Sequence, residues 1–534
     1  MSLPRNRTTV DSLPPETLHD ILMYLKHCKN DLASTCLVSK RFHSTSLPIL
    51  YETVVLMFGY HGDYLEEQFT SILTHEHQGL PFIKNFGIQG SLVYFPLYPK
   101  YPLESQMAAE ITQTTTMFNC LLLSVLRRFK SNQLRNFIWL TDMHLTPTIV
   151  NELDARQNML QGAWVFGPDD LESTGIIADS LFKFLNTKVQ LRDLHLGGIH
   201  DMDTVLNVFS NFDRMPNKLR RLTVQLQDSN FLKRLLESPH AWEEFLQQNN
   251  SILSQPSEPK FPWLTQLSLQ GVDDVFFEGV RRIDHIFALG QLEELKFTFG
   301  GEFSSTLKQM TGKCLRLKVF YLWGHTSETT LSEFLVSLPP LKELALNILE
   351  NGVDNPDILR LDIHSKSLTK LYLRFENNGD QSSGSCFLRL LQRGCSFPQL
   401  TEFAFSMPVE EFAALRNQDS HLPRLELLWL LQPNNHWARE LFKLDSMTSM
   451  LRPLFRDDKA RPKWRFFAIG QRPQNKHRLI IYEFCESLTV EEKICTGLGC
   501  VAHGKVFEHS PNLTLLNCFG IWLPWEEERN FVHV

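Results

Sequence analysis

One six-residue pattern, apolar-x-x-apolar-x-apolar, returns along this chain at intervals too short for separate domains and too regular to ignore. It reads Leu191-Arg-Asp-Leu-His-Leu196, Leu219-Arg-Arg-Leu-Thr-Val224, Leu264-Thr-Gln-Leu-Ser-Leu269, Leu292-Glu-Glu-Leu-Lys-Phe297 and Leu317-Lys-Val-Phe-Tyr-Leu322. It continues as Leu341-Lys-Glu-Leu-Ala-Leu346, Leu368-Thr-Lys-Leu-Tyr-Leu373, Leu400-Thr-Glu-Phe-Ala-Phe405 and Leu425-Glu-Leu-Leu-Trp-Leu430. Successive starts are 28, 45, 28, 25, 24, 27, 32 and 25 residues apart. Alternation within the pattern predicts a short strand, and between strands the period switches to that of a helix. Met202, Val205, Leu206 and Phe209 stand at i, i+3, i+4 and i+7, as do Leu331, Phe334, Leu335 and Leu338. Phe276, Val280, Ile283 and Phe287 make a similar stripe, and Phe387, Leu390 and Leu391 a shorter one. A single short strand and helix cannot bury their apolar faces alone, so neighbouring units must stack.

The pattern resembles leucine-rich repeats. The predicted fold class is therefore α/β: an irregular solenoid with parallel strands on the concave side and helices on the convex side. Weaker copies stand at Ile83–Ile88, Leu134–Trp139, Trp464–Ile469 and Leu513–Cys518, and Leu50–Leu56 has the alternation of a further strand. The long interval after Leu219 holds a polar, Pro-bearing stretch around residues 247–259, read as a surface excursion. Beyond Trp429 the copies spread out, as terminal repeats that cap an open core should. The expected organisation is a tail at 1–10, a helical segment at 11–50, the solenoid at 51–430, and degenerate repeats with a cap at 431–534.

The helical segment begins Leu13-Pro-Pro-Glu-Thr-Leu18-His-Asp-Ile21-Leu22-Met-Tyr-Leu25 and resumes at Asp31-Leu32, ending Leu37-Val38-Ser-Lys-Arg-Phe42. Pro14 and Pro15 suit a first helical turn with Ser12 as cap, and Leu18, Ile21, Leu22 and Leu25 share one stripe. Three small helices in so short a stretch bury little surface and should lean on a neighbour or partner. The string resembles an F-box, matching at Leu13, Pro14, Leu18, Ile21, Leu22, Leu25, Leu32, Val38 and Phe42, with Phe42 where many members carry Trp. The resemblance implies docking of these residues onto the Skp-type adaptor of an SCF-type cullin–RING ubiquitin ligase. The rest of the chain would then hold a protein target.

Net charge is −7 with no run of either sign, which disfavours nucleic acid as a partner. The N-terminus has no apolar h-region and no stretch is apolar enough for a membrane span, so a soluble protein of the cytoplasm and/or nucleus is expected. Ten scattered cysteines suit free thiols in a reducing compartment. No Gly-rich phosphate loop, His-Glu-x-x-His or Gly-x-Ser-x-Gly is present, so no catalytic residue, cofactor or enzyme activity of the chain's own is expected. His75-Glu76-His77 lacks the spacing of two ligands on a helix face. Cys485, Cys495, Cys500 and His503 lack the close pairing of a structural zinc site, so no metal is expected. The function expected first is a non-catalytic substrate receptor of the ligase; a repeat scaffold with no ligase role stands second, and an enzyme on an α/β scaffold third.

In the strand signatures, the residues between and after the apolar ones should form the readout face. Over the nine clear repeats its charges balance: Arg221, Lys296, Lys370 and Arg374 against Asp193, Glu294, Glu343 and Glu402. Its distinctive members are aromatic. Tyr321, Trp323, Tyr372 and Trp429, with Lys370 and Arg374 among them and small Ala345 and Ala404 between, are the expected target-binding residues over 319–431.

Overall fold

The computed structural model describes residues 10, 13–26, 28–58, 65–74, 77–90, 105–141, 145–166, 188, 190–199, 218–226, 259, 261–272, 274, 283–298, 301–349, 359–376, 383–405, 415, 419–431, 466–470 and 479–483. The chain divides into two compact units, Met1–Ser254 with Leu523–Val534, and Gln255–Trp522.

The first unit opens with α1 (Pro15–Met23), α2 (Lys29–Cys36) and α3 (Lys40–Tyr51). Pro14 stands at the N-cap of α1 with no side-chain cap bond, and Ser12, expected as the cap, lies outside the described residues. Ser39 caps α3 by accepting the Phe42 amide at 3.2 Å. The third helix runs through Tyr51, so the strand expected from Leu50 begins later, as β1 (Thr53–Phe58). Then come α4 (Leu65–Leu73), β2 (Asn85–Gly90), α5 (Ser105–Arg128), β3 (Asn136–Thr141), α6 (Pro147–Arg156), β4 (Gly162–Phe166), β5 (Asp193–Ile199) and β6 (Arg221–Leu226). Each strand pairs in parallel with the next, β1 to β6 in chain order. Helices lie on one side: Phe69 of α4 meets Phe118 of α5 at 5.6 Å, and Phe118 meets Trp139 of β3 at 5.9 Å. All three of these and their neighbours Phe86, Phe129 and Phe137 are buried, the kind of burial that drives folding at about 25 cal/mol per Å².

In the second unit β7 (Gln266–Gln270), β8 (Glu294–Thr298), β9 (Val319–Gly324), β10 (Glu343–Leu349), β11 (Lys370–Glu376), β12 (Glu402–Phe405), β13 (Leu427–Leu431) and β14 (Phe466–Gly470) pair in parallel in the same serial way. The last pair breaks the expected parallel order, since β15 (Leu479–Glu483) runs antiparallel to β14. The described helices here are α7 (Ile283–Ile286), α8 (Ser304–Met310), α9 (Glu328–Ser337) and α10 (Ser383–Gln392). Phe334 of α9 packs on Phe320 at 5.0 Å and Phe387 of α10 on Phe403 at 4.1 Å, so the signature's apolar positions face the helices as the pattern requires. Gly394 at φ +86° ends α10, its amide donating to Leu391 O at 2.9 Å. The stripe at 202–209, most of that at 276–287, the polar excursion at 247–259 and the copy at 513–518 lie outside the described residues, as does most of the expected cap.

One backbone device repeats in both units. The residue after the first apolar position of each signature donates its amide to the same position one strand back: Arg135 to Lys84 at 2.7 Å, Gln161 to Arg135 at 2.6 Å, Arg192 to Gln161 at 2.7 Å and Arg220 to Arg192 at 2.8 Å. In the second unit Lys318 donates to Glu293 at 2.8 Å, Lys342 to Lys318 at 2.7 Å and Thr369 to Lys342 at 2.8 Å. These bonds lock the register, so equivalent side chains of successive repeats are brought side by side at about 4.8 Å.

Candidate functional site

The three N-terminal helices close on a core of Leu18, Leu22, Leu32, Ile49 and Leu50, with Leu25, Cys36, Phe42 and Tyr51 packed against it. Lys29 Nζ donates to the carbonyls of Ile49 and Leu50 at 3.3 and 3.2 Å, tying α2 to the end of α3. Arg41 donates to Leu13 O, holding the entry to α1 against α3. Lys84 bonds the Glu52 carboxylate at 3.0 Å; burial works against that charge, but Lys84 and Lys26 outweigh it and hold its pKa below the ordinary value.

The nine residues expected to meet the adaptor fall in different places. Leu18, Leu22 and Leu32 are the unit's own core, each at most 1 % exposed, and Leu25 and Phe42 are packed beside it. Leu13 is half-buried, while Pro14, Ile21 and Val38 are exposed. Ile21, about 100° round the helix from Leu22, lies at the edge of the stripe and is 44 % exposed. Two residues the sequence reading missed are also exposed: Tyr24, at the C-cap of α1, at 88 %, and Leu37, after α2, at 87 %, beside Val38 at 64 %. The signal was present in the i, i+3 spacing of Ile21 and Tyr24. Between α1 and α3 lies an open groove of about 540 Å³ lined by Pro15, Glu16, His19, Asp20, Ser44, Thr45 and Pro48, polar where the Ile21–Tyr24 flank is apolar.

On the strand face of the second unit, the structure brings Tyr372 and Trp429 together at 5.9 Å and 72°, across Ala404, which stands between them in register. It does not leave them open. Tyr321, Tyr372 and Trp429 are at most 2 % exposed and Arg374 8 %, Trp323 is half-buried, and the hollows expected at Ala345 and Ala404 are closed at 0 %. Part of the reason is local: the Tyr372 and Trp429 rings, on strands two apart, meet over Ala404. Below the rings, the balanced charges become ion pairs. Lys296 reaches Glu294 at 2.5 Å and lies 4.7 Å over the Tyr321 ring; Lys370 reaches Glu343 at 3.1 Å and Glu402 at 3.7 Å. Tyr321 OH donates to Glu343 at 2.7 Å. In the first unit Arg221 grips Asp193 with two bonds of 2.6 Å. Among the described residues of the second unit, buried polar atoms without a hydrogen-bond partner include Trp429 Nε1 and both amide atoms of Asn347, which is 0 % exposed.

Among the described residues no group of three or more His, Cys, Asp or Glu is placed to hold a metal, and Cys485, Cys495, Cys500 and His503 lie outside them. His77 is edge-on to Tyr51 at 5.1 Å, while His75 and Glu76 are outside the described set. Two buried groups are shifted for structural reasons. His195, stacked on Phe166 at 5.8 Å, is pushed by burial down to about 4, and burial drives the Cys314 thiol up to about 12, where it is inert. Among the described residues no helix is long and apolar enough to cross a membrane.

Comparison with known proteins bears on the helical unit directly. Residues 10–57 match the family model described as F-box-like, so the three helices and the start of β1 form an F-box-like domain. No curated protein matches the chain. Among solved structures, a chain from the crystal structure of the Rad7 and Elc1 complex in yeast is similar at 14 % identity and a TM-score of 0.39, over 59 % of this chain and 73 % of that one.

Proposed function

We propose that the chain is a non-catalytic substrate receptor of an SCF-type cullin–RING ubiquitin ligase, its F-box-like domain docking on a Skp-type adaptor and its repeats holding a protein target. The observation that carries the reading is the surface of Ile21, Tyr24, Leu37 and Val38, large apolar side chains left in water by a domain that has already filled its own core. So much apolar exposure in so few residues marks a partner surface. The receptor itself makes and breaks no bond; it raises the concentration of a target lysine near the ubiquitin carrier.

Target capture belongs in this reading to the repeat array. The stretch 319–431 contributes only once its buried rings are uncovered. The unserved Asn347 amide on β10 favours such an exchange, because a partner supplying one donor and one acceptor relieves a desolvation cost of about 1–3 kcal/mol. Co-expression with a Skp-type adaptor tests the proposal. The parent is expected to co-purify with the adaptor, and Leu37→Asp with Val38→Asp to lose it while keeping the parent's helix content. If the double variant recovers as much adaptor as the parent, the ligase reading fails and a plain repeat scaffold stands in its place.

A further inference from the structure

The first and the last strand of the chain finish their outward edges differently. At β1 the edge is closed. Asn85 donates its amide to Glu52 O at 3.0 Å, so by alternation along the strand Met57 turns its N–H and C=O away from β2. The buried Gln68 of α4 meets both: its Oε1 accepts the Met57 amide at 2.9 Å and its Nε2 donates to Met57 O. A side-chain amide thus fills the place where a further strand would pair.

No such plug is bonded to β15. Leu427 donates its amide to Thr401 O at 3.0 Å, so Leu427 faces β12, while Leu428 and Leu430 face β14. In β14, Phe466 and Ala468 complete those bonds. That leaves Phe467 and Ile469 to face β15, and their antiparallel partners Tyr482 and Ile480 to face back. Leu479, Ile481 and Glu483 therefore carry their N–H and C=O groups on the outer edge, where no group of the described residues is bonded to them. The strand contains neither Lys nor Pro, the residues that commonly blunt an edge.

We propose that the outer edge of β15 docks an extended, basic and apolar segment of a partner protein, added antiparallel as a further strand. Such addition takes its affinity from main-chain hydrogen bonds and its specificity from the residues set opposite. An antiparallel occupant sets its residues opposite Glu483, Ile481 and Leu479 in that order. A basic residue followed at alternate positions by two β-branched ones therefore matches the edge in charge and apolarity. A second copy of this chain matches less well, because self-pairing over the whole strand, centred on Ile481, sets Leu479 opposite Glu483 at both ends. The proposal is independent of adaptor docking, which belongs to the F-box-like domain.

The test is fluorescence anisotropy of the purified full chain with a fluorescein-labelled Gly-Lys-Thr-Ile-Thr-Val-Gly peptide. Binding is expected. N-methylation of the peptide's isoleucine, which removes the N–H aimed at Ile481 O, is expected to lower the affinity about tenfold. N-methylation of the threonine before it, whose N–H points away from the edge, is expected to cost less than a third of that. Ile481→Pro, at a position whose own N–H does not serve β14, is expected to weaken the unmodified peptide about tenfold and to leave thermal unfolding at the parental level. Leu37→Asp with Val38→Asp is expected to leave peptide binding unchanged. No peptide binding, equal binding of the two N-methylated peptides, equal binding by Ile481→Pro, or a concentration-dependent dimer in light scattering that Ile481→Pro dissolves would each overturn the proposal.

Discussion

Leu22 on α1 and Tyr24 at its C-cap stand two residues apart and should separate folding from docking. Leu22 is 1 % exposed within the domain core, so Leu22→Ala removes buried methylenes and leaves a cavity, at a cost of about 2–5 kcal/mol. A domain this small has little stability in reserve, so that loss should melt it well below the parent's transition. Tyr24 is 88 % exposed and Tyr24→Ala should change stability by no more than about 0.5 kcal/mol. Its effect belongs to binding. A buried tyrosine hides about 150 Å² or more, worth at most about 4 kcal/mol at 25 cal/mol per Å². Ordering and desolvation remove part of that, leaving about 2 kcal/mol, or roughly a thirtyfold weaker Kd. Calorimetric titration with a Skp-type adaptor gives the affinity, and thermal unfolding followed by circular dichroism gives the stability. Adaptor affinity at the parental level in Tyr24→Ala would refute the placement of the docking surface, and a matching loss of stability would refute its separation from the core.

Two further expectations concern the repeats. Asp274 accepts from the amides of Ser305 and Thr306 at 2.6 and 2.7 Å and from the Thr306 hydroxyl at 2.6 Å, so it caps α8 from the preceding repeat. Asp274→Ala should cost about 3 kcal/mol, read as faster hydrogen exchange across α8, and unchanged protection there would remove the assignment. His195 is neutral in the fold with its pKa at about 4 against 6.5 in the unfolded chain, so the unfolded state binds the extra proton first. Stability of β4–β6 should therefore be full above about pH 6.5 and fall by about 3 kcal/mol as pH drops toward 4. His195→Phe should flatten that slope in exchange measurements at pH 7 and 5; an identical slope in the variant would assign it to other groups.

The repeat was legible in the sequence because its physics is local. A leucine spacing of period two followed by one near 3.6 dictates strand then helix, and each such pair must stack on the next, which is how β5 and β6 in the first unit, and β7 to β13 in the second, come to lie in order. The F-box-like domain was legible for the same reason, through Pro14, the Leu18–Leu22–Leu25 stripe and the Val38–Phe42 segment. The strand β4 escaped notice because its signature holds Ala163 and Val165 where larger residues stand elsewhere, and the antiparallel β15 because strand direction is set by where the chain returns. Exposure was decided only by tertiary structure. Apolar character alone did not say that Leu22 fills the core while Tyr24 meets water, or that Tyr321, Tyr372 and Trp429 are closed off. Burial depends on what lies opposite, and for each of these residues that is set by groups distant in the chain. The residues just before the strands are the clearest case: Lys84, Arg135, Gln161, Arg192 and Arg220 are tens of positions apart in the chain. Only the strand-to-strand hydrogen bonds that fix the register bring them together into one surface.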